Sequence, residues 1–168
     1  FLSTSIAWAE QPDETTIDWK STEEIGSLIK IKLYPTKGEV TYGPNFAYSD
    51  QALLDSYSEI YLIRVVDPEN EESYTLYLTT HHNDQDWHTY DSVHKKDGSE
   101  LELITLAKNK DVTDNNISYK HEEKLAIKMS FIDVADAFSS GMLLTINGSH
   151  PSKLMISGNY FLAMLQSL

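Results

Sequence analysis

The chain has 168 residues, with Lys+Arg 13 against Asp+Glu 26, a formal charge of −13 and no cysteine. This length fits one domain with a real core, and the missing cysteine excludes a disulfide scaffold, a thiolate zinc site and a cysteine nucleophile. A single arginine, Arg64, argues against nucleic acid as a partner, and no apolar run reaches the ~20 residues that span a bilayer.

The chain opens Phe1-Leu2-Ser3-Thr4-Ser5-Ile6-Ala7-Trp8-Ala9. Ala7 and Ala9 form a small-x-small cleavage pattern, and an acidic stretch with Pro12 follows. Residues 1–9 therefore read as the tail of a secretory signal, which implies a periplasmic or secreted protein. The alternative is a short arm belonging to the fold. Residues 10–24 are polar and read as a flexible arm. The expected organisation is a signal remnant and arm over 1–24, then one β-rich domain over 25–168.

Ile29, Ile31 and Leu33 alternate with Lys30 and Lys32, the period of a half-buried strand. A turn at Pro35–Gly38 returns the chain as Glu39–Tyr42. Asp50 caps a helical turn through Leu54. Glu59–Val66 and Tyr74–Thr80 are strands rich in β-branched and aromatic residues. A third strand is expected over Trp87–His94, completing a meander. Asp97-Gly98 signals a hairpin into Ser99–Leu106. Asn109–Asn116 reads as a loop, and Tyr119–Met129 as a strand.

Ser130 and Asp133 resemble a capping box, and Val134, Ala135 and Phe138 form the expected buried stripe of the helix that follows. Gly141 suits its C-terminus. Met142–Ile146 and Lys153–Ile156 form a hairpin around Asn147–Ser152. Phe161, Met164, Leu165 and Leu168 have the spacing of an amphipathic helix. The fold class is α+β, mainly an antiparallel meander or sandwich-like sheet with two short C-terminal helices.

The densest polar segment is His81–His94, with His81, His82, Asp84, Asp86 and His88 at its start. Imidazole and carboxylate suit zinc, nickel or copper. A strand over 87–94 places His94 about 20 Å from His88. A site therefore needs His88 to meet His81 or His82 across the turn, with Asp84 or Asp86 completing it. The competing reading is a solvated loop. Asp84-x-Asp86 lacks the glycine and terminal glutamate of an EF-hand. There is no G-x-S-x-G elbow, no phosphate loop and no spaced carboxylate pair for glycosidase chemistry.

Trp87 and Tyr90 either pack over a sheet end or form a platform for a sugar or peptide. Arg64 is either a paired charge at the sheet or a clamp for a ligand carboxylate.

Asp86–Val93, with its W-x-x-Y core, resembles a segment of small exported proteins of Gram-negative bacteria, an uncharacterised family. The acidic strand Tyr119–Met129 and the terminal Asn159–Leu165 segment are similar to that family too. The resemblance covers about residues 58–166, with Val93 where the family pattern has Ala. It implies an exported β-rich domain and transfers no activity.

The sequence thus favours a non-enzymatic binding module of the cell envelope, without a cofactor. Its partner is another protein or an envelope polymer, and its acidity favours a basic one. The alternative is a protein that binds or depends on a divalent metal through residues 81–94. A small-ligand carrier is a third possibility.

Overall fold

A computed structural model describes residues 13–113 and 118–167. In chain order the elements are α1 (Thr22–Ser27), β1 (Lys30–Tyr34), β2 (Gly38–Tyr42), a 3-10 turn (Phe46–Ser49), α2 (Gln51–Leu54), β3 (Tyr57–Val66) and β4 (Glu72–His82). Then come β5 (Tyr90–Lys95), β6 (Glu100–Leu101), β7 (Leu103–Thr113), β8 (Ser118–Met129), α3 (Phe131–Ser140), β9 (Met142–Gly148), β10 (Ser152–Ile156) and α4 (Gly158–Gln166).

The strands form two antiparallel sheets. One has the order β1-β2-β3-β4-β8-β7, the other β10-β9-β5-β6. Period-two alternation decides what lies between them. Ile60, Leu62, Leu76, Leu78, Leu125 and Ile127 project inward from the first sheet and are at most 1% exposed. Val93, Leu144, Ile146, Leu154 and Ile156 close the core from the second. The expected α+β class with mainly antiparallel strands is what the chain adopts.

Helix α4 buries Tyr160, Phe161, Ala163 and Met164 in that core. The pairing of β2 with β3 ends at Tyr42–Ile63, so the next outward N–H groups of β3 need other acceptors. Tyr160 Oη accepts from Leu62 N at 3.0 Å and donates to the Pro44 carbonyl at 2.9 Å. Asn45 Oδ1 accepts from Ile60 N at 2.8 Å. Burial raises the Tyr160 phenol above its ordinary range, so it stays protonated and keeps its donor.

Several expectations change. The strand over Trp87–His94 begins only at Tyr90, and it belongs to the second sheet rather than to a meander with β3 and β4. Ser99–Leu106 divides at Glu102, because the chain crosses from β6 in one sheet to β7 in the other. The strand over 29–33 is not half-buried. As the margin of its sheet it overhangs the core, and Leu33 is 80% exposed.

The Ser130–Asp133 capping box is present, with both reciprocal hydrogen bonds. The buried stripe of α3, however, is Val134 and Ala137. The helix meets α4 closely at Gly158, where a Cβ would lie 2.4 Å from the Phe138 carbonyl oxygen, and the Phe138 residue is left 47% exposed. Residues 13–24, expected as a loose arm, are packed. Ile17 is buried, Trp19 meets Phe46 edge-on at 5.6 Å, and Glu14 Oε1 accepts from Asn45 N at 2.7 Å. The loop expected over 109–116 is strand as far as Thr113, where β7 ends, and residues 1–12, 114–117 and Leu168 lie outside the described residues. Among the described residues, no helix is long and apolar enough to cross a membrane.

Candidate metal centre

The inward face of the first sheet does not stay apolar to its end. In β4 the inward positions run Leu76, Leu78, Thr80 and His82, and in register on β8 they run Ile127, Leu125, Glu123 and His121. Two histidines therefore meet where the sheets part. The loop 83–89 crosses from β4 to β5 at this end and brings Asp84, Trp87 and His88 over the opening.

The turn between β9 and β10 adds His150. It is held to the crossing loop by Ser149 N, which bonds the Thr89 carbonyl and Oγ1 at 3.1 Å each, and by Thr89 N donating to Ser149 Oγ at 3.0 Å. Gly148 makes this approach feasible. A Cβ at that position would lie 1.7 Å from the Thr89 carbonyl oxygen.

The four rings form one stack. His82 lies 3.5 Å from His88 with planes 4° apart, His88 lies 3.8 Å from His150, and His82 lies 4.9 Å from His121. Asp84 Oδ2 is 2.5 Å from His88 Nε2 and 3.9 Å from His82 Nδ1. Donor atoms of His82, Asp84 and His88 all fall within 4.8 Å of one another. The cluster borders a cleft of about 600 Å³ that His150, Tyr90 and Thr80 also line.

Electrostatics keeps the His82 ring neutral. Burial, followed by the neighbouring His88 and His121, pushes His82 down to about 4. Hydrogen bonding to His88 holds the Asp84 carboxyl below its ordinary value. At neutral pH the site therefore offers the neutral imidazole of His82 and one carboxylate beside further imidazoles, a borderline N/O set suited to zinc, nickel or copper rather than calcium. A tetrahedral ion bonded at ~2.0–2.1 Å sets its donors ~3.4 Å apart, between the 2.5 and 3.9 Å found here. Lone pairs lie in the ring planes, so stacked rings do not aim at one point. Binding requires His88 to rotate out of the stack, where it lies between His82 and His150.

The structure sorts the sequence candidates. His82, Asp84 and His88 come together. His81 pairs in register with Glu122 on the opposite face, and its Nε2 lies 2.9 Å from the Leu54 carbonyl oxygen. Asp86 is exposed and outside the cluster.

Trp87 packs edge-on against His121 at 4.4 Å, with Lys108 Nζ 5.6 Å from its ring centre. Tyr90 Oη donates to Thr80 Oγ1 at 3.2 Å. Both serve as walls of the site. Arg64 pairs with Glu39 at 3.2 Å and Glu72 at 2.5 Å. It stands opposite Tyr74, eight residues before His82 on β4, or about 27 Å away. It takes no part in the cluster.

His121 and His150 escaped sequence reasoning, since they join only through strand register and a distant turn. Glu123, fully buried one register step inward, pairs with Lys108 at 3.2 Å. No protein-family model, curated protein or solved structure matches the chain.

Proposed function

We propose that this protein is a non-enzymatic binding module whose ligand is a divalent transition-metal ion, held by His82, Asp84 and His88 with His150 alongside. The convergence of those three donor groups within 4.8 Å carries the reading. The neutrality of His82 supports it, because a protonated imidazole cannot ligate. Asp84 is 58% exposed on its side chain, so the ion would sit at a mouth and exchange with solution, unlike a closed structural site.

The test is titration of chelator-treated protein with Zn²⁺, Ni²⁺ and Cu²⁺ by calorimetry, with elemental analysis of the product. Wild type takes up one ion. His82→Ala and His88→Ala weaken binding at least about tenfold, no less than losing an outer-shell partner costs elsewhere. His81→Ala and Asp86→Ala leave affinity unchanged. No uptake, or equal loss in His81→Ala, overturns the assignment. We also propose that the protein is exported, on the small-x-small pattern at Ala7 and Ala9. Cell fractionation that leaves it with cytoplasmic markers refutes this.

A further inference from the structure

The outer face of the six-stranded sheet has a character that the overall charge conceals. Strand register settles which residues share it. One row runs Lys30, Tyr42, Ile63, Thr75 and Lys128, and the next carries Tyr61 and Tyr77. Lys32 and Lys124 flank these rows on the same face.

The tyrosines are clustered. Tyr61 and Tyr77 stack at 5.5 Å with planes 20° apart, and Tyr42 Oη meets Tyr34 Oη at 3.0 Å. Lys32 Nζ is 5.6 Å from the Tyr42 ring centre. Side chains stand roughly upright on a sheet. Upright rings that cover one another's planes present hydroxyl edges outward, so they offer donors rather than a flat platform for a neutral sugar.

Charge distinguishes this face from the rest of the molecule. The chain carries 26 acids to 13 bases. Here Lys30, Lys32, Lys120, Lys124 and Lys128 outnumber the acids Glu59, Glu102 and Glu122, and Glu59 already accepts from Thr79 Oγ1 at 2.6 Å. Asp13 and Glu14 rim the Lys30–Lys32 end, at a groove of about 660 Å³. Distant acids act weakly here, because the screening length in physiological salt is ~8 Å.

We propose that this face binds an acidic polysaccharide, its spaced carboxylates meeting the lysine ammonium groups and tyrosine hydroxyls. The lysines of β1 and β8 are four strand spacings apart, about 19 Å. Such thin, spread positive charge suits a polymer with carboxylates on separate sugars. It is poorly matched to duplex DNA, with one charge per ~1.7 Å of axis. The face is opposite the one that carries His82, so the two sites are separable.

Affinity electrophoresis through polygalacturonate tests this, with EDTA present to remove metal bridging. Its methyl ester serves as the neutral twin and duplex DNA as a second polyanion. Polygalacturonate slows the wild type, the ester does not, and DNA does so less. Lys124→Gln with Lys128→Gln weakens binding about fivefold, the sum of two exposed ion pairs. Lys30→Gln with Lys32→Gln, on an exposed marginal strand, does the same without touching the core. His82→Ala leaves binding intact.

No retardation, equal retardation by the ester, tighter binding to DNA, or indifference to both lysine pairs overturns the proposal. Self-association through this face, seen as concentration-dependent sedimentation that Lys124→Gln with Lys128→Gln abolishes, overturns it too.

Discussion

Removing the titration of His82 should flatten the acid sensitivity of the metal-free protein. His82 is 9% exposed on its side chain and titrates at about 4 when folded, against an ordinary value of 6.5. For a base with a lowered folded value, the unfolded chain binds more protons between the two values. The stabilisation is therefore complete above the unfolded value and is lost as pH falls towards the folded one. At pH 5 the unfolded ring is almost fully charged while the folded ring is mostly neutral.

The linkage relation then gives a loss of about 1.8 kcal/mol between pH 7 and pH 5. Solvent access at the mouth reduces this to roughly 1–1.5 kcal/mol. His82→Phe keeps a ring in the stack and removes the titration. Urea unfolding of both proteins at pH 7 and pH 5, with chelator present, measures the difference directly. The carboxylates that titrate lower are common to both proteins and cancel. If wild type and His82→Phe lose equal stability over that interval, His82 is not held neutral by its surroundings. The account of His82 as a neutral donor then fails.

Two further outcomes test how the site and the core are held. Gly148→Ala drives a Cβ into the Thr89 carbonyl oxygen, so it should lower the melting temperature and weaken metal binding together. A melting curve with calorimetry detects this, and wild-type values for both contradict the packing account. Tyr160→Phe strands the Leu62 N–H and the Pro44 carbonyl, both buried. It should cost about 2–3 kcal/mol in urea unfolding, and a loss near zero means those groups have other partners.

Much of the fold was legible because periodicity is a local signal. Leu125, Ile127 and Met129 alternate with Lys124, Ala126 and Lys128, and they lie inward as that pattern requires. The capping box at Ser130 needs only four consecutive residues. Local pattern misled where a neighbour decided the outcome. Ile31 and Leu33 alternate correctly, yet on this marginal strand both stay exposed. Phe138 has helical spacing, but the helix buries Val134 and Ala137 and leaves Phe138 exposed.

The sequence by itself determined which chemistry was available: no thiolate, a single arginine, and histidines and aspartates crowded into residues 81–94. It could not choose between His81 and His82, because adjacent strand residues face opposite ways and only the sheet partner says which way is in. The tertiary structure made that choice. It pairs His82 with His121, draws His88 over both by crossing between sheets, and brings His150 from a turn 62 residues further along the chain than His88. Donor groups separated in sequence converge only when two sheets share a core, and that long-range packing is not encoded in any local run of residues.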